Sequence, residues 1–160
     1  MSICFVDTEY TDRIYLLSYA YDLRNYGQLY DNTLNQYNIE RTIWPVDYLL
    51  CWGPDIGRIQ NEYNILLKET TYAVNLLSVF KNYVNLYSYK LDEVERYIGI
   101  YRQYNYKGDY RQLIKDWYDP QKRQYVLLYN LQDVLSLVRI WYWLRDYYGV
   151  SLYDLRKFRM

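Results

Sequence analysis

Four acidic residues stand where apolar stripes run out, and carboxylates gathered in that way can hold hard cations. Asp7 and Glu9 close the run Ser2–Glu9, SICFVDTE. At the two-residue period of a strand, Ile3, Phe5, Asp7 and Glu9 share one face, with the two carboxylates about 6–7 Å apart along it. Asp55 follows Gly53-Pro54 and leads a helical spacing through Ile59, Tyr63 and Leu66. Asp133 sits on a second helical stripe made of Tyr129, Asp133, Leu137, Ile140 and Leu144. An inward acid is costly unless it is paired or bound to a metal. Four of them, with no histidine or thiolate to share the work, suit Mg²⁺ or Mn²⁺. Each acid taken singly also has a plainer explanation. Asp7 and Glu9 could be the exposed end of a strand, and Asp55 an acid favoured at a helix start. Asp133 could form a buried salt bridge with Arg102, Arg111 or Arg123.

What the chain lacks narrows the chemistry further. It has 160 residues and no histidine, which removes Ser-His-Asp and Cys-His nucleophile systems and histidine metal sites. Its two cysteines, Cys4 and Cys51, make neither a structural zinc site nor a disulfide framework, and read as reduced small hydrophobes. Six scattered glycines leave no GxGxxG and no GxxxxGK[ST]. Net charge is zero, but residues 1–80 hold 5 basic and 10 acidic residues, and residues 81–160 hold 14 and 9. A dipolar layout of this kind suits a protein that gathers acids around cations in one region and meets phosphates with another.

The elements that must position these acids are legible from period and punctuation. Ser2–Glu9, Ile14–Leu23 and Gln28–Leu34 read as a three-stranded antiparallel meander, and Asp47–Trp52 as a buried fourth strand ended by Gly53-Pro54. Asp55–Glu69 reads as a helix, and Thr71–Asn75 as a fifth strand. Helical segments follow around Leu76–Leu86 and Leu91–Ile98, then a loop over Tyr101–Tyr110. One long helix, Gln121–Tyr148, is bounded by Pro120 and Gly149. No repeat, linker or low-complexity tract divides the chain, so residues 1–160 are expected to form one α/β domain, a mixed five-stranded sheet flanked by helices.

The order of these motifs resembles a known family. Phe5-Val6-Asp7-Thr8-Glu9 is similar to the first motif of the DEDD 3′–5′ exonucleases, DnaQ-like enzymes on the ribonuclease H-like fold. Leu50-Cys51-Trp52-Gly53-Pro54-Asp55 is similar to their second motif. Tyr129-Asn130-Leu131-Gln132-Asp133-Val134 resembles the third motif in its tyrosine form, YxxxD, found in the ribonuclease D and family B polymerase branches. Leu91-Asp92-Glu93-Val94 with Tyr97-Ile98-Gly99 resembles the helix those branches carry before it. A second YxxxD, Tyr142–Asp146, lies off the stripe of Asp133 in the last turn before Gly149, and reads as a solvated acid.

The resemblance implies a ribonuclease H-like sheet of three antiparallel and two parallel strands. It also implies Asp7, Glu9, Asp55 and Asp133 as ligands of two divalent metal ions, Mg²⁺ or Mn²⁺, with Tyr129 beside the attacking water. The substrate implied is single-stranded DNA or RNA with a free 3′ end. Two departures stand out. Tyr10-Thr11-Asp12 replaces the Thr-Gly pair that often follows the first motif, and the second motif lacks the asparagine that often precedes its aspartate. A catalytically silent nucleic-acid-binding module and an aromatic-rich assembly protein are the alternatives, the latter suggested by 25 tyrosines. The longest charge-free run, Thr70–Phe80, is 11 residues, too short for a bilayer. Residues 1–15 lack the layout of a signal peptide. The expected setting is cytoplasmic, inside the host cell for a virus-encoded chain, with no membrane partner and with homo-oligomerisation left open.

Overall fold

The structure, a computed structural model, describes residues 1–160. Strands β1 (Ile3–Tyr10), β2 (Ile14–Ala20) and β3 (Tyr26–Tyr30) come first, then helix α1 (Gln36–Ile43) and strand β4 (Tyr48–Cys51). Helix α2 (Asp55–Tyr63), strand β5 (Tyr72–Asn75) and helices α3 (Leu76–Tyr83), α4 (Leu91–Ile98) and α5 (Tyr110–Tyr118) follow. The long helix α6 (Arg123–Tyr148) and the short α7 (Leu152–Leu155) complete the order. The sheet runs β3-β2-β1-β4-β5, antiparallel across the first three strands and parallel from β1 to β4 to β5. This is the expected ribonuclease H-like α/β architecture.

Strand alternation sorts the core into two layers. Phe5, Tyr48, Leu50 and Val74 face α3 and α6, where Phe80, Leu137, Ile140 and Leu144 meet them. Cys4, Val6, Leu49 and Cys51 face α1 and α2, against Ile39, Ile43, Ile56 and Ile59. All four residues of β4 are buried, because a central strand covered on both faces has no solvent side. Each such large side chain contributes about 1.5–3 kcal/mol when fully buried. Cys4 and Cys51 are free thiols inside this layer. Along the outer side of β5, Val74 bridges to Arg159, and the Met160 amide donates to the Ala73 carbonyl at 2.9 Å. No helix is long and apolar enough to cross a membrane.

Several expected boundaries move, each for a local reason. Strand β2 stops at Ala20 because Asp22 accepts the amides of Arg24 and Asn25 and folds the chain into a tight turn. Strand β3 ends at Tyr30 rather than continuing to Leu34, and Asp31–Thr33 forms a 3-10 turn. Helix α2 ends at Tyr63, where Asn64 adopts φ 52, so Leu66 lies beyond the helix and is exposed. The stripe from Asp55 therefore stops at Tyr63. Helices α1 and α5 were not evident in the sequence. Asn35 caps α1 by accepting the Asn38 amide, and Asp109 caps α5 by accepting the Gln112 amide.

Candidate metal centre

Strand β1 carries the first two acids on its odd face, under α6. A register shift against β2 between Glu9 and Tyr10 marks the end of regular pairing, so the carboxylates stand where the strand leaves the sheet. Helix α6 crosses this end and presents Tyr129, Asn130 and Asp133 on the turn above it. One ligand oxygen from each of Asp7, Glu9 and Asp133 lies within 4.8 Å of the others, a spacing that one cation could bridge.

The third element is the turn between β4 and α2. Gly53 there has φ 103, a conformation that favours glycine, and its amide donates to Asn75 Oδ1 at 3.0 Å. The turn delivers Asp55 as the first residue of α2, buried beside β1. Its Oδ1 accepts both the backbone amide of Thr8, at 3.1 Å, and the Thr8 hydroxyl. Asp55 thus lines the same cleft as the other three acids but is not part of the close triad.

Asn130 occupies the space between the strand acids. Its amide nitrogen donates to Asp7 Oδ2 at 2.6 Å and to Glu9 Oε1 at 3.4 Å, while its own Oδ1 is buried without a partner. Asp133 is held from the other side, where Arg102 Nη2 donates to its Oδ1 at 2.7 Å. Of the three arginines the sequence offered to Asp133, the structure selects Arg102. Arg123 pairs with Asp31 instead.

Burial raises every one of these carboxyl pKa values, and at Asp7, Glu9 and Asp133 the neighbouring negative charges add to it. For Asp7, removal from water acts first, reinforced by the negative charges of Asp55, Asp133 and Glu9. Glu9 is raised by burial and by Asp133, against the hydrogen bond from Asn130. Burial raises Asp55 while the Thr8 hydrogen bonds oppose it. Asp133 is pushed up to about 7 by burial, with Arg102 working the other way. Such a cluster is poorly compensated by protein groups alone. Its donors are all oxygen, so the set fits Mg²⁺ or Mn²⁺.

These residues line a cleft of about 440 Å³, walled by Tyr10, Trp52, Pro54, Tyr110 and Tyr129. A larger cleft of about 760 Å³, between Tyr15, Trp117 and Arg123, holds no such group of converging acids. The Tyr129 ring packs edge-on against Tyr106 at 5.1 Å. Burial, then the neighbouring acids, hold its hydroxyl pKa well above the usual tyrosine value. The second YxxxD lies apart, with Arg145 over the Tyr142 ring and Asp146 exposed in an ion pair with Arg145.

Three groups at the site did not stand out in the sequence. Asn130 was readable in principle, since it lies within YNLQD, three residues before Asp133 on the same helix face. Thr8 carried a weaker signal, as the residue between the two strand acids. Glu95, joined to Arg102 by two hydrogen bonds, carried none.

Comparison with known proteins agrees with the fold. The RNase_H superfamily description matches residues 4–145, and the chain belongs to that superfamily. No curated protein matches it. Among solved structures, the family B DNA polymerase from the hyperthermophilic archaeon Pyrobaculum calidifontis is similar, with TM-score 0.71 and 15% identity over 89% of this chain. The match covers 24% of the polymerase, so the chain spans about a quarter of that protein's length.

Proposed function

We propose that this chain is a metal-dependent 3′–5′ exonuclease that hydrolyses phosphodiester bonds of single-stranded nucleic acid. The observation that carries the reading is the convergence of Asp7, Glu9 and Asp133 from two separate elements, with Asp55 in the same cleft. Superfamily membership supports a nucleic-acid substrate. Likeness to part of a family B DNA polymerase accords with the tyrosine form of the third motif.

In this reading Asp7, Glu9 and Asp133 would hold one divalent cation and Asp55 would contribute to a second, and such ions, when bound, would lower the pKa of a water and stabilise charge on the leaving 3′-oxygen. Asn130 keeps the Asp7 and Glu9 carboxylates turned toward each other before any cation arrives. Tyr129 orients the attacking water through its hydroxyl. It does not take a proton at neutral pH, because its surroundings disfavour the phenolate. Tyr10, Trp52 and Tyr110 line the cleft, and in this reading theirs are the rings on which terminal bases stack.

A second reading, a silent nucleic-acid-binding module, has one observation in its favour: Arg102 already sits on Asp133. Glu95 cancels that positive charge, however, and leaves four acids still to be balanced. Matched 3′- and 5′-labelled linear strands and closed circles, of DNA and of RNA, separate the readings. With Mn²⁺, linear strands shorten from the 3′ end, circles survive, and EDTA stops the reaction. Binding without cleavage supports the silent module, and cut circles indicate an endonuclease.

A further inference from the structure

Glu95 and Arg102 form a buried ion pair that touches the metal centre at one atom. Glu95, on α4, is fully buried. Arg102 grips it with a fork, Nε to Oε2 at 2.8 Å and Nη2 to Oε1. The same Nη2 reaches Asp133 Oδ1 at 2.7 Å, and Nη1 leans toward the Tyr104 carbonyl at 3.4 Å. The guanidinium is directed at protein groups, so it acts through Asp133 and not on a substrate.

The loop that carries Arg102 is tied to α6 next to Asp133. Gln132 accepts the amides of Gln103 and Tyr104 at 2.7 and 2.9 Å, and donates to the Tyr104 carbonyl at 2.7 Å. Loop, helix and arginine are therefore fixed in one register. Buried ion pairs are seldom favourable for stability alone, and apolar replacements of similar volume often match them. The placement of this one answers a different need. An arginine beside Asp133 with no counter-charge would neutralise the carboxylate and compete with a cation.

We infer that Glu95 is a positioning residue that anchors Arg102 by its fork, so that the arginine orients Asp133 through Oδ1 alone and leaves Oδ2 free for a metal ion. This rests on the metal-dependent reading above. Glu95 acts as a leash. It lets Arg102 hold Asp133 in place without closing over both of its oxygens. The net charge of the Glu95–Arg102 pair is zero, so the pair adds no net positive charge to compete with a divalent cation at the four cleft acids.

The test is Mn²⁺ binding by titration calorimetry on the whole chain, with thermal unfolding in EDTA run in parallel. Glu95→Gln frees Arg102 to close on Asp133, and Mn²⁺ affinity falls about 10–100-fold, the usual effect of losing an outer-shell partner. The double variant Glu95→Gln with Arg102→Gln removes the competing cation and recovers most of that affinity. A packing role alone would not produce this recovery. Glu95→Asp, which keeps the charge on a shorter arm, gives an intermediate loss and serves if the Gln variant folds poorly. Wild-type affinity in Glu95→Gln overturns the inference, as does a double variant that binds no better than the single one. Wild-type protein that binds no Mn²⁺ overturns the metal reading itself, and this inference with it.

Discussion

At the residue scale, the site combines four carboxylates that repel one another with a few neutral or cationic groups that hold them still. Removing one charge should therefore separate stability from activity. Asp7→Asn is expected to abolish turnover, and in EDTA to leave the protein as stable as the parent or more so, since it relieves repulsion by Asp55, Asp133 and Glu9. Labelled-strand cleavage and thermal unfolding check the two halves, and undiminished cleavage would remove Asp7 from the site. The two tyrosines that precede aspartates on α6 test which helix face matters. Tyr129→Phe deletes only a hydroxyl from the cleft wall, so strand and metal binding should persist while turnover falls about 10²–10⁴-fold. Tyr142→Phe, under Arg145 and away from the acids, should cost about 1 kcal/mol at most and leave the rate unchanged. Equal losses in the two variants would mean that the hydroxyl of Tyr129 has no special position.

At the element scale, the acids depend on how strand and helix ends are fixed to one another. Asn75 is the clearest case. Its Oδ1 accepts the Leu77 amide at the start of α3 and the Gly53 amide in the turn before Asp55. Asn75→Ala should destabilise by about 1–2 kcal/mol through the lost cap. It should also lower turnover by loosening the turn, whereas Asn75→Asp keeps the acceptor and restores most of both. Denaturant unfolding with single-turnover cleavage measures the pair. Elements with a sustained period were the ones legible in the sequence. Strand β1 showed its stripe because Phe5, Asp7 and Glu9 alternate with Val6 and Thr8, and α6 because Leu137, Ile140 and Leu144 repeat over many turns. Helices α1 and α5 were not legible. Each is a short segment with few buried apolar residues, Ile39 and Ile43 in one, Leu113 and Trp117 in the other. Their existence depends on caps and on tertiary packing more than on pattern. The same limit applies at the site. Acids at stripe ends could be read locally, but the pairing of Arg102 with Glu95 and Asp133, and of Asn75 with Gly53, is set only when distant segments meet.

For the whole molecule, the acid cluster makes stability depend on pH and on cations together. Unfolded carboxyls titrate near 4. The folded values are raised, to about 7 for Asp133 and well above the usual range for Asp7 and Glu9. Between those limits the folded chain binds more protons than the unfolded one. The contribution of the cluster is therefore complete below about pH 4 and is lost as pH rises through the raised folded values, about 7 for Asp133. In EDTA the Tm should fall between pH 5.5 and 8, and saturating Mn²⁺ should flatten or reverse that slope, because the cation favours the ionised acids. A Tm in EDTA that rises over this interval would mean that the carboxylates are already well compensated in the metal-free fold.

The arrangement at the outer side of β5 bears on solubility. An exposed strand edge offers a row of unpaired amides and carbonyls to any neighbouring chain and invites fibril-like pairing. Here Arg159 and Met160 lie along that edge, and the Met160 amide takes the Ala73 carbonyl. The parallel half of the sheet, which carries the fully buried β4, is thereby closed at its rim by two residues of its own chain. That rim is a poor template for aggregation, so a protein with 25 tyrosines can keep its ring faces for other contacts without also presenting an adhesive backbone there.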